Sequence, residues 1–266
     1  MKSFKKFNSV LSVATLTAIS FLIADRPSFT QAATEELETE TKTIKGIIRD
    51  FKSNHPDFER NPGDTSADGS VFGFGLDTEI TTNFLGEDGK PVYKGGSNST
   101  TTKDNFDQWF NDVEGVNKSM EFSITLTDED GDGTYTYARD LNESKSFFPI
   151  DGKLFGNENN PHNYHFTYEL EDRFTYEPGT ATEPRIFTFK GDDDVYVYID
   201  GKKVIDLGGV HSQEEESVNL DEQNLVAGET YTLKLFFAER HIVQSNFRID
   251  TNVEFFGEPE QIVFAD

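Results

Sequence analysis

Gly191-Asp-Asp-Asp-Val-Tyr-Val-Tyr-Ile-Asp-Gly201 is the most informative segment of the sequence for the fold. Between Val195 and Ile199, apolar and aromatic residues occupy both faces of an extended chain. This pattern predicts a central strand that is covered on both sides. The dipeptide Asp200-Gly201 follows at once and supplies the positive φ angles of a tight hairpin turn. The segment therefore predicts a buried strand that begins at three carboxylates and ends in a hairpin.

Four further segments place apolar residues at every second position, which is the spacing of a strand with one buried face. These sets are Phe122, Ile124 and Leu126; Tyr164, Phe166, Tyr168 and Leu170; Tyr231, Leu233, Leu235 and Phe237; and Phe247, Ile249, Thr251, Val253 and Phe255. Helical spacing occurs from Asp104 to Val113, behind an aspartate cap. We therefore expect an all-β fold, a single antiparallel, jelly-roll-like β-sandwich with few short helices.

The N-terminus has the features of a secretory signal peptide. Lys2, Lys5 and Lys6 precede an apolar run from Val10 to Ala24, and small residues follow it. We expect cleavage after Ala32, so that residues 1–32 are the signal peptide. Residues 33–43 are polar and acidic, and they predict a flexible leader. The sandwich is expected to span residues 44–257, with a tail at 258–266.

The chain is strongly acidic, with a net charge of −25 in 266 residues, and it has no cysteine. This balance argues against nucleic acid or anionic lipid as a partner and favours divalent cations. No second apolar run of spanning length follows the first, so no membrane insertion is expected. An exported chain without disulfides must take its stability from a core or from bound ions.

The carboxylates Asp192, Asp193 and Asp194 have two interpretations. Three successive acids repel one another unless they are solvated or bound to a cation, and calcium prefers hard oxygen ligands in loops. The alternative is a solvated turn with an Asx hydrogen bond. The residues alone favour neither interpretation.

A second acidic cluster lies between two predicted strands, in Asp128-Glu-Asp-Gly-Asp-Gly133. Asp128, Asp130 and Asp132 have the spacing of the first half of a calcium loop. The position where an EF-hand needs a bidentate glutamate is Arg139, so this is not an EF-hand. An acidic hairpin tip is the preferred interpretation, with weak calcium binding as the alternative.

A polar loop joins two strongly apolar strands and contains Glu239, Arg240, His241 and Gln244. Binding residues favour such loops on rigid scaffolds. Carboxylate, guanidinium, imidazole and amide groups together suit hydrogen bonds to several hydroxyl groups. An ordinary hairpin end is the competing interpretation.

The sequence contains no nucleophile elbow, P-loop, zinc-protease helix or dinucleotide fingerprint. A glycosidase needs only two carboxylates at the right separation, and acidic pairs are abundant in this chain. No pair is singled out by its position, however. We therefore expect a protein that is not an enzyme.

Several longer motifs resemble the fibro-slime domain, which is related to the protective-antigen-type sugar-binding sandwich. The resemblance covers roughly residues 44–256. Its motifs include Gly46-Ile-Ile-Arg-Asp-Phe51, Phe106-Asp-Gln-Trp-Phe110, Phe147-Phe-Pro-Ile-Asp-Gly152, the stretch 191–201, Asp206-Leu-Gly-Gly-Val-His211 and Phe236-Phe-Ala-Glu-Arg-His241.

This resemblance implies an extracellular β-sandwich of adhesive or matrix-associated proteins. In the sugar-binding relatives, two consecutive aspartates, often joined by a cis peptide, hold a calcium ion that also binds glycan hydroxyls. The pair falls on Asp192 and Asp193, or on Asp193 and Asp194. A further calcium contact is implied within residues 239–246, with Asn246 as the side-chain candidate.

The resulting hypothesis is an exported, calcium-dependent carbohydrate-binding or adhesion module, secreted or at the cell surface, with a glycan or extracellular polysaccharide as partner. One alternative is a matrix or slime protein whose calcium is purely structural. The other is a secreted glycoside hydrolase. Sugar binding in the presence and absence of a chelator separates the first two.

Overall fold

The structure, a computed structural model, describes residues 39–65, 71–78, 80–140 and 146–257. The predicted signal peptide and the predicted tail at 258–266 lie outside these residues, as does most of the leader. Among the described residues, no helix is long and apolar enough to cross a membrane. The all-β class is confirmed, because twelve antiparallel strands dominate the described chain.

The strands are numbered in chain order. They are β1 (Glu40–Asp50), β2 (Thr81–Leu85), β3 (Pro91–Tyr93), β4 (Lys118–Asp128), β5 (Tyr135–Arg139), β6 (Phe166–Thr175), β7 (Ile186–Asp192), β8 (Asp194–Ile199), β9 (Lys202–Leu207), β10 (Glu214–Asn219), β11 (Thr230–Glu239) and β12 (Asn246–Thr251). One short helix, α1, spans Lys103–Phe106, and a 3-10 turn spans Leu220–Glu222.

All twelve strands form one hydrogen-bonded sheet in the order β10-β7-β12-β5-β4-β1-β6-β11-β8-β9-β2-β3. Strands β7 and β8 are far apart in this order, yet the single residue Asp193 joins them. The sheet must therefore curl until its two ends approach, and β9 and β10 do contact each other. The all-β class therefore holds, but the described strands form one curled sheet rather than a clear jelly-roll-like sandwich.

The main core fills the inside of the curl. The residues predicted to share faces on four strands contribute to it, including Ile124, Leu170, Leu235 and Ile249. Each of these four side chains is at most 1% exposed. The period-two patterns in the sequence therefore identified the buried faces correctly.

Strand β8 is covered on both faces, as predicted. Val195, Val197 and Ile199 pack into the main core. Tyr196 and Tyr198 point to the other face and join a second core cluster. The hairpin at Asp200 and Gly201 also has the predicted geometry, with φ angles of 44° and 77°.

The second core cluster contains the segment predicted as a helix from Asp104 to Val113. Helix α1 ends at Phe106 instead, and its N-cap is Thr102, whose side chain accepts from the Asn105 backbone N–H. Trp109 and Phe110 are buried through turns rather than helix, against Phe236 and Tyr198 of the sheet. Burial of bulky aromatic rings decides this conformation, and helical propensity is a weak preference beside it.

The start of the sheet also differs from the sequence-based boundary. Strand β1 begins at Glu40, which pairs in register with Asp128 of β4. Residues 40–43 were expected to belong to a flexible leader, because they are polar. Pairing along β4 satisfies their backbone groups without any apolar side chain.

Candidate functional site

The triple aspartate lies where the chain crosses from β7 to β8. Asp192 ends β7, Asp194 begins β8, and the peptide bond between Asp192 and Asp193 is cis. The loop after β11 ends beside this crossing, because Asn246 at the start of β12 is the register partner of Asp192. The two polar segments singled out in the sequence are therefore brought together at one end of the sheet.

Asp192 is fixed from β12. Its Oδ1 accepts from the backbone N–H of Asn246 and its Oδ2 from the Asn246 side-chain amide, both at 2.6 Å. Burial raises the pKa of Asp192, and the two hydrogen bonds from Asn246 oppose that rise. Asn246, a predicted metal ligand, is itself fully buried and contacts the site through Asp192.

Asp193 accepts one backbone hydrogen bond on each oxygen. The donors are the N–H groups of His211, at 3.2 Å, and Arg240, at 3.1 Å. Burial raises the pKa of Asp193 well above its usual range. The charge of Arg240 opposes this rise, and the charges of Asp194 and Asp192 add to it.

Asp194 and Arg240 form an ion pair, and both side chains are 0% exposed. The Arg240 Nε donates to Asp194 at 2.6 Å, and the guanidinium lies 4.8 Å from the Trp109 ring. Asp194 also accepts from the Tyr196 hydroxyl and the Gly209 N–H. Neither side chain lines the cavity that opens beside the cis peptide. The predictions of Asp194 as a metal ligand and of Arg240 as a glycan ligand therefore find no support in the geometry of this cavity.

This cavity has a volume of about 490 Å³. Its lining includes Asp192 and Asp193 together with three of the four residues predicted to bind a ligand, Glu239, His241 and Gln244. Glu239 is 1% exposed, and burial, followed by the charges of Asp193 and Asp192, raises its pKa well above the usual range. Three buried carboxylates therefore line this cavity.

One wall of the cavity was missed by the sequence reasoning. Phe74 and Leu76 line it, and each is about half exposed, at 51% and 52%. Val243 lines it from the loop after β11. The Phe74 ring contacts the edge of His241 at 5.2 Å between centroids. The glycine-spaced apolar run at 72–76 is the only sequence signal for this wall.

The segment with Phe74 and Leu76 is held rigidly against the aspartates. The N–H groups of Gly75 and Asp77 donate to the carbonyls of Val210 and Gly208, at 2.7 and 2.6 Å. A Cβ at Gly209 would collide with the Gly75 carbonyl, so this approach requires glycine. A rigid loop that exposes large apolar side chains is typical of an interaction site.

The second acidic cluster is also brought together, on the hairpin between β4 and β5. Carboxylate oxygens of Asp128, Asp130 and Asp132 lie within 4.8 Å of one another. Asp128 is buried, and its two oxygens accept from the N–H groups of Gly131 and Gly133, at 2.9 Å each. Asp130 and Asp132 are exposed. The hairpin-tip interpretation accounts for these bonds, and weak calcium binding remains a prediction.

A known protein family matches the part of the chain that contains most of the cavity residues. Residues 156–255 match the PA14 domain model. This match includes Asp192, Asp193, Glu239 and Asn246, and it agrees with the protective-antigen-type resemblance in the sequence. The fibro-slime part of that resemblance stays a prediction. Phe74 and Leu76 lie outside the PA14 match.

Curated relatives of the chain are proteins of Dictyostelium discoideum. Protein psiR is 37% identical over 81% of this chain and 21% of its own length. Protein psiD is 40% identical over 64% of this chain and 35% of its own length. The chain thus spans about a fifth to a third of the length of these relatives.

Solved structures of PA14 domains are distant neighbours. A PA14 sugar-binding domain from an RTX adhesin is 10% identical, with a TM-score of 0.26, over 36% of this chain and 52% of that one. The PA14 domain of the MpAFP antifreeze protein is 12% identical, with a TM-score of 0.28, over 77% of this chain and 78% of that one.

Proposed function

We propose that this chain is an exported carbohydrate-binding or adhesion module that binds its glycan through a calcium ion held by Asp192 and Asp193. The observation that carries the proposal is the cavity with buried carboxylates on one side and an exposed apolar wall on the other. The PA14 match over this region supports a binding module rather than an enzyme.

The donor set fits calcium. Ca²⁺ takes six to eight oxygen ligands, from carboxylates, carbonyls and water. Asp192 and Asp193 keep oxygen lone pairs beyond their single hydrogen bonds, because each carboxylate oxygen has two acceptor sites. One oxygen of Glu239, Oε2, is buried and has no hydrogen bond of standard geometry among the described residues, although the Ser245 side chain opposes the rise in the Glu239 pKa. A buried carboxylate oxygen without a strong hydrogen bond is a feature that a bound cation would explain.

Charge balance also favours a cation. Among the described residues, no lysine or arginine side chain forms an ion pair with Asp192, Asp193 or Glu239, since the Arg240 side chain pairs with Asp194. Buried like charges at close range resist ionisation together. A bound calcium would neutralise two of them and leave coordination positions for a pair of glycan hydroxyls.

The apolar wall of the cavity suits the C–H surface of a sugar ring. A pyranose ring presents hydroxyl groups at its edge and C–H groups on its faces. Phe74 and Leu76 offer apolar surface beside the carboxylates, and His241 and Gln244 add hydrogen-bonding groups. The cavity therefore matches the amphipathic character of a carbohydrate, with few polar groups that fix its orientation.

Calcium titration followed by thermal unfolding tests the proposal. Binding to the folded state stabilises by about 2.7 kcal/mol when calcium is 100-fold above its Kd. For a domain of this size that stabilisation raises the Tm by roughly 5–10 °C. Asp193→Ala should lower the Tm in calcium and should remove most of the effect of a chelator, whereas Asp130→Ala serves as a control in the other acidic cluster.

A glycan array with and without chelator completes the test. Wild type should bind sugars only in calcium, and Asp193→Ala should bind none. Calcium stabilisation without any sugar binding would favour a matrix protein with structural calcium. Release of free sugar from a polysaccharide would favour a hydrolase. Absence of any response to chelator would leave Asp192 and Asp193 as buried carboxylates that are held by hydrogen bonds alone.

A further inference from the structure

The curled sheet has an opening between β4 and β5. Strand β4 pairs with β1 along all eleven of its residues, and β5 pairs with β12 along all five of its residues. Between β4 and β5, in contrast, the described residues form a single register pair, Thr127 with Thr136. No backbone hydrogen bond from another described segment reaches residues 118–126 on that side. In the described part of the chain, the edge of β4 that faces β5 is therefore free of a strand partner.

A cavity of about 960 Å³ occupies this opening. Two half-buried aromatic side chains line it, Phe122 of β4 and Tyr137 of β5. The buried Phe147 ring packs against both, with centroid distances of 6.1 and 6.4 Å. Hydroxyl side chains of both strands, among them Ser123 and Thr136, line it as well. The cavity has the size of a ligand-binding site, and two strands with free edges form its walls.

The charges along the opening have a direction. Glu129, Asp130 and Asp132 line it at the hairpin tip, where the two strands meet. Arg139 lines it at the far end of β5, roughly 14 Å from the tip at about 3.4 Å per residue. The Arg139 Nη1 donates to the Ala138 carbonyl at 2.7 Å, and its guanidinium forms no ion pair with a described acid. The opening is therefore acidic at one end and basic at the other.

We propose that this opening accepts an extended peptide segment as an additional strand between β4 and β5. A free strand edge presents unpaired N–H and C=O groups, and an added strand binds through them. The long edge of β4 favours antiparallel pairing, because that arrangement is the more stable per residue. Since β4 runs toward the hairpin tip, an antiparallel segment starts at the tip and ends beside Arg139.

The direction of the segment and the charges of the opening specify the peptide. Its N-terminal end lies beside the carboxylates of the tip, and its C-terminal end lies beside the Arg139 guanidinium. A basic residue at the start and an acidic residue at the end complement both. Between them, β-branched side chains such as threonine and valine suit the threonine-rich walls, because such residues pair well across strands.

A second copy of this chain fits the opening less well than a single segment. Strand β5 already pairs with β4 at Thr127, so the β4 edge of a second copy would meet β5 at this end. Each copy also carries a net charge of −25, which opposes their association. A narrow peptide strand avoids both obstacles.

Amide hydrogen exchange of the full chain, followed residue by residue by NMR, tests the proposal. The probe is a synthetic heptapeptide of alternating threonine and valine, with lysine at its N-terminal end and glutamate at its C-terminal end. Successive N–H groups of a strand point to opposite edges. In the free chain, every second amide of residues 118–126 should therefore exchange rapidly, and saturating peptide should slow this set roughly tenfold or more. The alternate amides, which face β1, are the internal control.

The affinity of matched peptides tests the charge direction. A peptide of the same composition with glutamate first and lysine last should bind about tenfold more weakly. Arg139→Gln should raise the Kd of the first peptide roughly fivefold and reduce the preference for its order. Lys202→Gln is the control, because Lys202 is an exposed charge on β9, and its Kd should change less than about twofold. All these measurements are made in chelator, so that they do not depend on the proposed calcium site.

The remaining outcomes each contradict a part of the proposal. Protection of every amide of residues 118–126 in the free chain would show that the edge is already paired. Protection that grows with the concentration of the chain alone would assign the edge to a second copy. Unchanged exchange at millimolar peptide would overturn strand addition, and so would a sugar that binds in the opening without protecting any amide. Equal binding of the two peptides would overturn the charge direction.

Discussion

Removal of the Arg240 guanidinium should destabilise the fold far more than removal of any surface charge. In Arg240→Met, Asp194 keeps its bonds from Tyr196 and Gly209 but loses its only ion-pair partner among the described residues, in a site that is 0% exposed. Breaking a buried ion pair from one side costs about 3–5 kcal/mol, because the remaining charge is uncompensated. The lost hydrogen bond to the Ser99 carbonyl, at 2.5 Å, adds to this cost.

Such a loss is a large share of the roughly 5–15 kcal/mol by which domains are stable. Urea unfolding followed by fluorescence measures it directly, because the chain has one tryptophan, Trp109, and its ring lies against Arg240. Lys103→Met is the control, since Lys103 of α1 forms an exposed pair with Asp107, the C-cap of that helix. That substitution should cost less than about 0.5 kcal/mol.

The double variant Arg240→Met with Asp194→Asn isolates the pair. Because both charges are then absent, its loss should fall short of the sum of the single losses by roughly 1–3 kcal/mol. Strict additivity, or a loss below about 1 kcal/mol for Arg240→Met alone, would refute the assignment of Arg240 to the buried framework. It would reopen the prediction that Arg240 contacts a ligand.

Two further outcomes follow from other carboxylates. Asp130→Ala should lower the Tm by less than about 2 °C in millimolar calcium, because the hairpin tip is held by Asp128 and lacks a closing glutamate; a drop of several degrees by calorimetry would make the hairpin a structural calcium site. Burial raises the pKa of Asp50 from 3.8 to about 6. The folded state therefore binds a proton at Asp50 more tightly than the unfolded state. The contribution of Asp50 to the free energy of unfolding is present below pH 3.8 and is lost as the pH rises through 6. Wild type should therefore lose stability relative to Asp50→Asn across that window, and parallel urea curves for the two proteins would contradict this.

Much of the fold follows from the alternation of apolar residues. The spacing at Val195–Ile199 predicted a strand with two covered faces, and the two core clusters divide its side chains in that way. The curl of the sheet did not follow, because alternation reports which face of a strand is buried and not which strands pair. The helix predicted from Asp104 to Val113 is only one turn long in the structure, Lys103–Phe106, because packing of the aromatic side chains outweighs the helical spacing of apolar residues.

The alternation of residues along a strand also predicts on which face Asp194 and Arg240 lie, which the amino-acid composition does not. On β8, Asp194 falls on the face of Tyr196 and Tyr198. Directly after β11, Arg240 continues the face of Phe236 and Ala238. Parity alone therefore places both charges on the side of the second core cluster, where they pair. The interpretation as a polar loop grouped Arg240 with Glu239 because they are adjacent in sequence, although adjacent residues of a strand point to opposite faces.

This separation of charges explains why the acids of the cavity form no ion pair with a lysine or arginine side chain in the described part of the chain. The one guanidinium close to them in the chain is on the other face, where it neutralises Asp194 and rests on Trp109. Asp192, Asp193 and Glu239 are then left with backbone and amide donors, which stabilise charge but do not cancel it. Burial raises the pKa of each of these three carboxylates, and repulsion by neighbouring acids adds to the rise at Asp193 and Glu239, which favours binding of a proton or a metal cation. If the proposed cation binds there, the exposed apolar wall beside it gives no advantage to a purely structural ion, whereas a ligand that brings both hydroxyl groups and apolar surface would contact both.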